Sequence, residues 1–187
     1  MSTPTALARC WGVRLRWAAC AALVPSPPQE PTMILAGTGH RPPKLGGYSP
    51  AAFSRVLSLC SESLSQLAPS LVISGMALGF DQALAQAAVD LSIPFDAFVS
   101  CPTQHCLWPA SSRALYDHLL SRARSVRVIS PFYSPSCMQA RNVAMVDACT
   151  DLLALWDGSP GGTANCLAYA RTRPVTIHNR WSFFTPA

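Results

Sequence analysis

Lysine is almost absent from this chain of 187 residues, in which Lys44 is the only one and nearly every cation is an arginine. Charged residues of both signs are few, at 12% of the sequence, and the formal net charge is +5. Three of the arginines lie in the first 32 positions, which leaves +3 for the remainder. This charge is too small and too dispersed to predict a surface for duplex nucleic acid, and a small anionic ligand fits it better.

No CxxC pair occurs among the eight cysteines, and no second pair of ligands with zinc spacing accompanies the segment from Cys101 to Cys106. We therefore expect no metal and no cofactor. We interpret the cysteines as small buried hydrophobic residues in a reducing, cytoplasmic compartment. The apolar run from Trp17 to Val24 is too short to span a bilayer, so no membrane partner is expected.

The first 32 residues differ from the rest, because they contain five prolines, three arginines and a single acid. Such a composition fits a signal or transit peptide, or an extension upstream of a translation start at Met33. We favour an irregular, dispensable tail over residues 1–32, followed by one domain over residues 33–187.

From Met33 onward, short apolar runs alternate with longer amphipathic segments. This alternation predicts an α/β, Rossmann-like, doubly wound fold whose mostly parallel sheet carries helices on both faces. The predicted strands are Met33 to Ala36, Leu71 to Ser74, Phe95 to Val99, Val126 to Ile129, Leu152 to Trp156 and Val175 to Ile177. The predicted helices are Ala51 to Leu67, Phe80 to Leu91, Ser111 to Ala123, Met138 to Cys149 and Ala164 to Arg171.

Glycine-rich segments follow three of these strands, over residues 37–41, 74–81 and 157–163. Glycine allows backbone N–H groups to approach an anion closely at the start of a helix, so Asp157 to Thr163 is predicted to be a phosphate-binding loop. A fourth segment, Gln139 to Asn142, begins a helix after another strand. Because ligands bind beyond the carboxyl ends of parallel strands, the four segments predict one shared pocket.

The predicted ligand-binding residues all belong to these segments: Gly37, Thr38, Gly39, Arg41, Gly75, Met76, Gln139, Arg141, Asn142, Asp157, Ser159, Gly161, Gly162 and Thr163. Arg41 and Arg141 are candidates for phosphate contacts because a guanidinium matches phosphate in a bidentate manner. The alternative is that one of them pairs with Asp81 or Asp147. Asp81 and His40 are the candidate catalytic residues, with a helix cap and a ligand hydrogen-bond donor as their respective alternatives.

With these motifs assembled, the chain resembles the SLOG superfamily of Rossmann-like proteins, which includes the LOG-type phosphoribohydrolases, the DNA-processing protein DprA and YspA/YpsA-like proteins. The resemblance is closest to the YspA/YpsA-like branch and related phage proteins. It rests on Gly37-Thr-Gly-His-Arg-Pro42, Ser74-Gly-Met-Ala-Leu-Gly-Phe-Asp81, Gln139-Ala-Arg-Asn142 with Met145-Val-Asp147, and Asp157-Gly-Ser-Pro-Gly-Gly-Thr163.

The resemblance implies a nucleotide or ADP-ribose-like ligand, bound for sensing, sequestering or processing, and a homo-oligomer. An alternative is a nucleotide N-glycosidase. LOG-type enzymes carry catalytic glutamates after the corresponding threonine, whereas no acid follows Asp157 here, so Asp81 or His40 would have to replace them. A third interpretation is DprA-like binding of single-stranded DNA, which the lack of a basic strip interleaved with aromatic residues disfavours.

Overall fold

Six parallel strands form the central sheet of the structure, a computed structural model that describes residues 32–185. The tail expected over residues 1–32 lies outside the described residues except at its last position. The strands are β1 (Ile34–Gly39), β2 (Leu71–Ser74), β3 (Phe95–Val99), β4 (Ser125–Val128), β5 (Asp151–Leu155) and β6 (Thr176–Asn179). Their order is β4-β3-β2-β1-β5-β6. The chain therefore runs outward from β1 and then returns beside it, which creates a switch in strand order between β1 and β5.

Five α-helices connect the strands, and they cover both faces of the sheet. They are α1 (Pro50–Leu67), α2 (Phe80–Asp90), α3 (Ala110–Arg122), α4 (Cys137–Asp147) and α5 (Gly162–Ala170). Residues of α1, α2 and α3 pack in one core cluster, and residues of α4 and α5 pack in the other. The predicted α/β, doubly wound fold is confirmed, and within residues 32–185 no helix combines the length and apolar character needed to cross a bilayer.

The alternating direction of side chains along β1 explains why two core clusters form, one on each face of the sheet. Leu35 belongs to the cluster beneath α1 to α3, whereas its neighbour Ala36 belongs to the cluster beneath α4 and α5. Successive side chains of a strand point to opposite faces, so a strand that is buried on both sides is apolar at most of its positions. β2 and β3 are accordingly buried throughout.

The turn predicted at Gly37 begins only at His40, because β1 continues through Gly39. A Cβ atom on Gly37 would overlap the side chain of Leu84, and one on Gly39 would overlap the ring of Phe80. Both side chains belong to α2. These glycines therefore allow α2 to pack directly against the end of β1, which brings the first turn of α2 to the switch in strand order.

Candidate anion-binding site

A cavity of about 300 Å³ opens at the carboxyl ends of the strands, where the loop after β1 meets the first turns of three helices. Arg41 comes from the loop, Asp81 from α2, Arg141 from α4 and Thr163 from α5. We call this the anion cavity. It lies at the switch between β1 and β5, which is where doubly wound sheets place their ligands.

The first turn of α5 presents its N-terminal end to this cavity without a side-chain cap. Gly161 occupies the N-cap position with φ 145°, a conformation that only glycine adopts without strain. The Thr163 hydroxyl donates a hydrogen bond of 3.0 Å to the carbonyl of Gly39 and so ties α5 to β1. The backbone N–H groups of an uncapped first turn carry partial positive charge, so this end of α5 favours an anion.

A buried ion pair forms the floor of the cavity. Arg141 Nη1 lies 3.7 Å from Asp81 Oδ2 and donates a hydrogen bond of 2.6 Å to the carbonyl of Gly75. Asp81 also accepts a hydrogen bond of 3.2 Å from the backbone N–H of Ala77. Burial raises the pKa of Asp81 above its ordinary value, although the Arg141 charge opposes the shift. A Cβ on Gly75 would lie 2.7 Å from both partners, so this glycine permits their approach.

A second polar network joins the loop after β1 to the loop after β5. His40 Nε2 lies 2.7 Å from Asp157 Oδ1, and Lys44 Nζ lies 3.2 Å from Asp157 Oδ2 and also contacts the Ser159 hydroxyl. Hydrogen bonds from the hydroxyl and the backbone N–H of Ser159, followed by those from Lys44 and His40, hold the pKa of Asp157 well below its ordinary value. Asp157 therefore stays ionised and fixes the position of the only lysine.

The charges that line the cavity favour an anion. Arg41 and Lys44 are exposed at its rim, whereas Asp81 is buried and already faces Arg141. Burial lowers the pKa of His40, which keeps its ring neutral at pH 7. Within residues 32–185, Arg141 Nε is a buried donor without a hydrogen-bond partner.

Nine of the residues predicted for the site line the cavity together: Thr38, Gly39, His40, Arg41, Asp81, Arg141, Asn142, Gly162 and Thr163. Gly161 lies outside the lining as the N-cap of α5, and Asp157 and Ser159 lie outside it but contact the rim residue Lys44. Gln139 lies on α4 outside the cavity lining. Gly37 and Met76 are buried, the first against α2 and the second in the core, and neither lines the cavity.

Lys44, Pro43, Ala77 and Met138 also line the cavity, although the motifs did not single them out. One feature of the sequence could have indicated Lys44. It is the only lysine in the chain, and it lies three residues after Arg41 in a loop that already contained the candidates His40 and Arg41. Among residues 32–185 there is no group of three or more His, Cys, Asp or Glu side chains with the spacing of a metal site.

Comparison with known proteins places this geometry among Rossmann-like folds. No protein-family model matches the chain. An uncharacterized SPbeta prophage-derived protein of Bacillus subtilis (strain 168), YoqJ, is 28% identical over 144 residues, which cover 68% of this chain and 84% of that protein.

Two solved structures share the fold at low sequence identity. DNA processing protein A from Helicobacter pylori, whose single-stranded DNA binding mode has been described, matches with a TM-score of 0.58 and 16% identity over 78% of this chain. The match spans 63% of that chain, which is less than two thirds of its length. TM1055 matches with a TM-score of 0.52 and 13% identity, over 78% of this chain and 72% of that one. At these low identities, the two matches show that the fold is shared.

Proposed function

We propose that the anion cavity binds the phosphate group of a nucleotide or a nucleotide-derived, ADP-ribose-like ligand, in a sensing, sequestering or processing role. The observation that carries the proposal is the convergence of the uncapped start of α5 with the rim cations Arg41 and Lys44 on one cavity. The carboxylate of Asp81 is buried at the floor of the cavity beside Arg141.

Charge favours a phosphate over a carboxylate ligand. A phosphate monoester carries about −1.5 to −2 charges at pH 7 and offers three strong acceptor oxygens. The cavity supplies two cationic side chains at its rim and the end of a helix, whose dipole is equivalent to roughly half an elementary charge. One phosphate would therefore use all of these donors, whereas a carboxylate would leave some of them unpaired.

Calorimetric titration of the full chain with AMP, ADP-ribose and adenosine tests this function. We expect both phosphorylated ligands to bind more tightly than adenosine. The variant Arg41→Ala should bind AMP roughly tenfold or more weakly, since a hydrogen bond to a charged group contributes about 1.5 to 3 kcal/mol. Arg122→Ala, at the end of α3 and outside the cavity lining, is the matched control and should bind like the wild type. Equal affinity of the wild type for AMP and adenosine would reject the proposal.

A nucleotide N-glycosidase is the second candidate, and the raised pKa of Asp81 favours it. A carboxyl group that keeps its proton to a higher pH is suited to act as a general acid. Asp81 lines the same cavity, and its carboxyl proton would go to the nitrogen of the departing base while water adds to the anomeric carbon. Release of free base from a nucleoside monophosphate distinguishes this activity from binding alone.

Single-stranded DNA is the third candidate ligand, because the fold is shared with a DNA processing protein A whose DNA binding mode is described. Binding of an oligonucleotide that weakens steeply with added salt would support it. We expect no such binding at physiological ionic strength, since the rim of the cavity offers two exposed cations rather than an extended basic groove.

We further propose that the chain is a SLOG-type protein related to the YspA/YpsA-like branch and to phage proteins. The 28% identity to a prophage-derived protein and the common fold support this placement.

Self-association is proposed as well, and the half-exposed residues Val126 and Val128 on the edge strand β4 support it. The free cysteines among the described residues support a reducing, cytoplasmic location. Light scattering of the purified chain measures the oligomeric state directly.

A further inference from the structure

A second cavity, of about 210 Å³, adjoins the anion cavity and belongs to no part of the site described above. The loop after β1 contributes to both, because Pro42 lines the second cavity whereas Arg41 and Lys44 line the first. Its apolar wall comes mainly from α1, through Ala52, Phe53 and Val56. We call it the α1 cavity.

A close contact between two loops separates the cavities. A Cβ on Gly79 would lie 2.9 Å from the carbonyl oxygen of His40 and 3.0 Å from Pro42 Cδ. Gly79 therefore allows the loop before α2 to pack directly on the loop after β1. A ligand in the α1 cavity would contact Pro42, whose chain neighbours Arg41 and Pro43 line the anion cavity.

The lining of the α1 cavity contains no charged side chain. Its polar side chains are three serines, Tyr48 and Gln82, and Gln82 is buried with 2% of its surface exposed. Gln82 Nε2 donates a hydrogen bond of 3.2 Å to the carbonyl of Ser112. Within residues 32–185 no hydrogen bond reaches the Gln82 carboxamide oxygen, so this acceptor is available to a donor on a ligand in the cavity.

We propose that the α1 cavity binds an uncharged aromatic heterocycle that carries an N–H donor, as a nucleobase does. An engineered apolar cavity of about 150 Å³ holds benzene, so this volume suits one or two fused rings. A charged ligand would lose its hydration without gaining a partner. A pure hydrocarbon would leave the Gln82 oxygen unsatisfied, at a cost that favours a ring with an N–H group.

The position of Tyr48 supports an aromatic ligand. Its side chain lines the cavity and is 63% exposed, so one face of the ring is available at the mouth. Aromatic rings gain about 0.5 to 1.5 kcal/mol from offset or edge-on packing beyond the area that they bury. The heterocycle has two sources: a free base or nucleoside, or the base of a nucleotide whose phosphate occupies the anion cavity.

Calorimetric titration of the full chain with adenine tests the proposal. We expect the wild type to bind adenine and Ala52→Phe, which fills the cavity from α1, to bind it at least about tenfold more weakly, as loss of a buried ring contact implies. Ala51→Phe introduces the same side chain at the adjacent, exposed position and should leave adenine binding unchanged. Absence of adenine binding by the wild type, or equal binding by both phenylalanine variants, would overturn the proposal.

Gln82→Met provides an independent test, because it keeps the length of the side chain and removes the acceptor. It should weaken adenine binding roughly fivefold to tenfold, as the loss of one hydrogen bond implies, while the chain still melts cooperatively. Unchanged adenine affinity in a folded Gln82→Met protein would also count against the proposal, even if Ala52→Phe fails to fold.

AMP titrations of the same variants show whether the heterocycle is a separate molecule or the base of a nucleotide whose phosphate occupies the anion cavity. If the base of one nucleotide fills the cavity, Ala52→Phe will also weaken AMP binding and adenine will compete with AMP. If a separate molecule fills it, AMP affinity will be unchanged and both ligands will bind together. Because Arg41→Ala affects the phosphate alone, a failure of anion binding remains distinguishable from a failure at the α1 cavity.

Discussion

Asp81 and Arg141 form an ion pair at the floor of the anion cavity, with their Oδ2 and Nη1 atoms 3.7 Å apart and side chains that are 6% and 9% exposed. The pair joins the first turn of α2 to the second turn of α4, and both residues line the cavity. Arg141 is thus partly a structural partner of Asp81, which was the alternative to its role as a phosphate ligand.

Removing one member of this pair should destabilise the fold strongly. Arg141→Met leaves the Asp81 carboxylate buried without its cation, so we expect the free energy of unfolding to fall by about 3 to 5 kcal/mol. Urea denaturation monitored by circular dichroism measures the loss. Arg113→Met, at an exposed position of α3, is the control and should change stability by less than about 0.5 kcal/mol.

The double variant Asp81→Leu/Arg141→Met tests whether the two side chains stabilise each other or contribute to stability independently. When both charges are removed, no buried charge remains unpaired, so the double variant should lose less stability than the sum of the single variants. Additive losses would show that the two side chains do not stabilise each other.

Most of the fold could be predicted from the sequence, because the spacing of apolar residues indicates which positions of a helix or strand are buried. The strand Phe95–Val99 is apolar on both faces except at Asp96, and its predicted bounds agree with the structure. The glycines of β1 were harder to interpret. Gly37 has the same sequence context as a phosphate-binding turn, and only the packing of Leu84 against it shows that it serves helix contact.

The loop before α5 should respond differently to substitution at its two glycines. Gly162 does not have a positive φ, and a Cβ built on it meets no atom within 4 Å. Gly162→Val should therefore weaken AMP binding by roughly tenfold or more, because its side chain would project where the ligand approaches, with little loss of stability. Calorimetry and thermal melting of the same samples measure both quantities.

Gly161→Val is the matched comparison at the neighbouring position. Its φ of 145° is strained for any residue with a Cβ, so this variant should lose stability as well as affinity, by about 1 to 3 kcal/mol. Equal losses of stability at the two positions would show that Gly162 also has a structural role.

Stability should decrease as the pH falls below the ordinary His40 pKa. Burial lowers the folded-state pKa of His40 below 6.5, so the unfolded chain binds the proton first. The stabilisation is complete above about pH 6.5 and is lost as the pH falls through the interval down to the folded-state pKa, by at most about 1.4 kcal/mol per pH unit. Urea denaturation of the wild type and His40→Gln at about pH 7, 6 and 5 measures the difference.

His118→Gln controls for the loss of an imidazole, because His118 is exposed on α3. This variant should retain the pH dependence of the wild type, whereas His40→Gln should show a flatter profile. Parallel profiles for the wild type and His40→Gln would contradict the assignment of the pH dependence to His40.

Residues of the candidate site were predictable where a motif placed them after a strand, as for Arg41 and Thr163. The partners of these residues were not predictable, since they come from distant segments. Lys44 reaches Asp157 across 113 positions of the sequence, and Arg141 reaches the Gly75 carbonyl across 66. Such contacts depend on which strands lie side by side, and the order β2-β1-β5 has no local signal in the sequence.

The last prediction concerns turnover, for which Asp81 is the decisive residue. We expect the wild type to bind AMP without releasing base, because Asp81 already faces Arg141 and the Ala77 N–H, and no acid follows Asp157 in the chain. Asp81→Asn should then alter AMP affinity by no more than the strength of one charge-assisted hydrogen bond, about 1.5 to 3 kcal/mol. Chromatography of AMP incubations measures free adenine, and Asp117→Asn, at an exposed position of α3, serves as the control. Adenine released in proportion to the amount of wild-type protein and of Asp117→Asn, but not by folded Asp81→Asn, would instead establish a glycosidase with Asp81 as its acid.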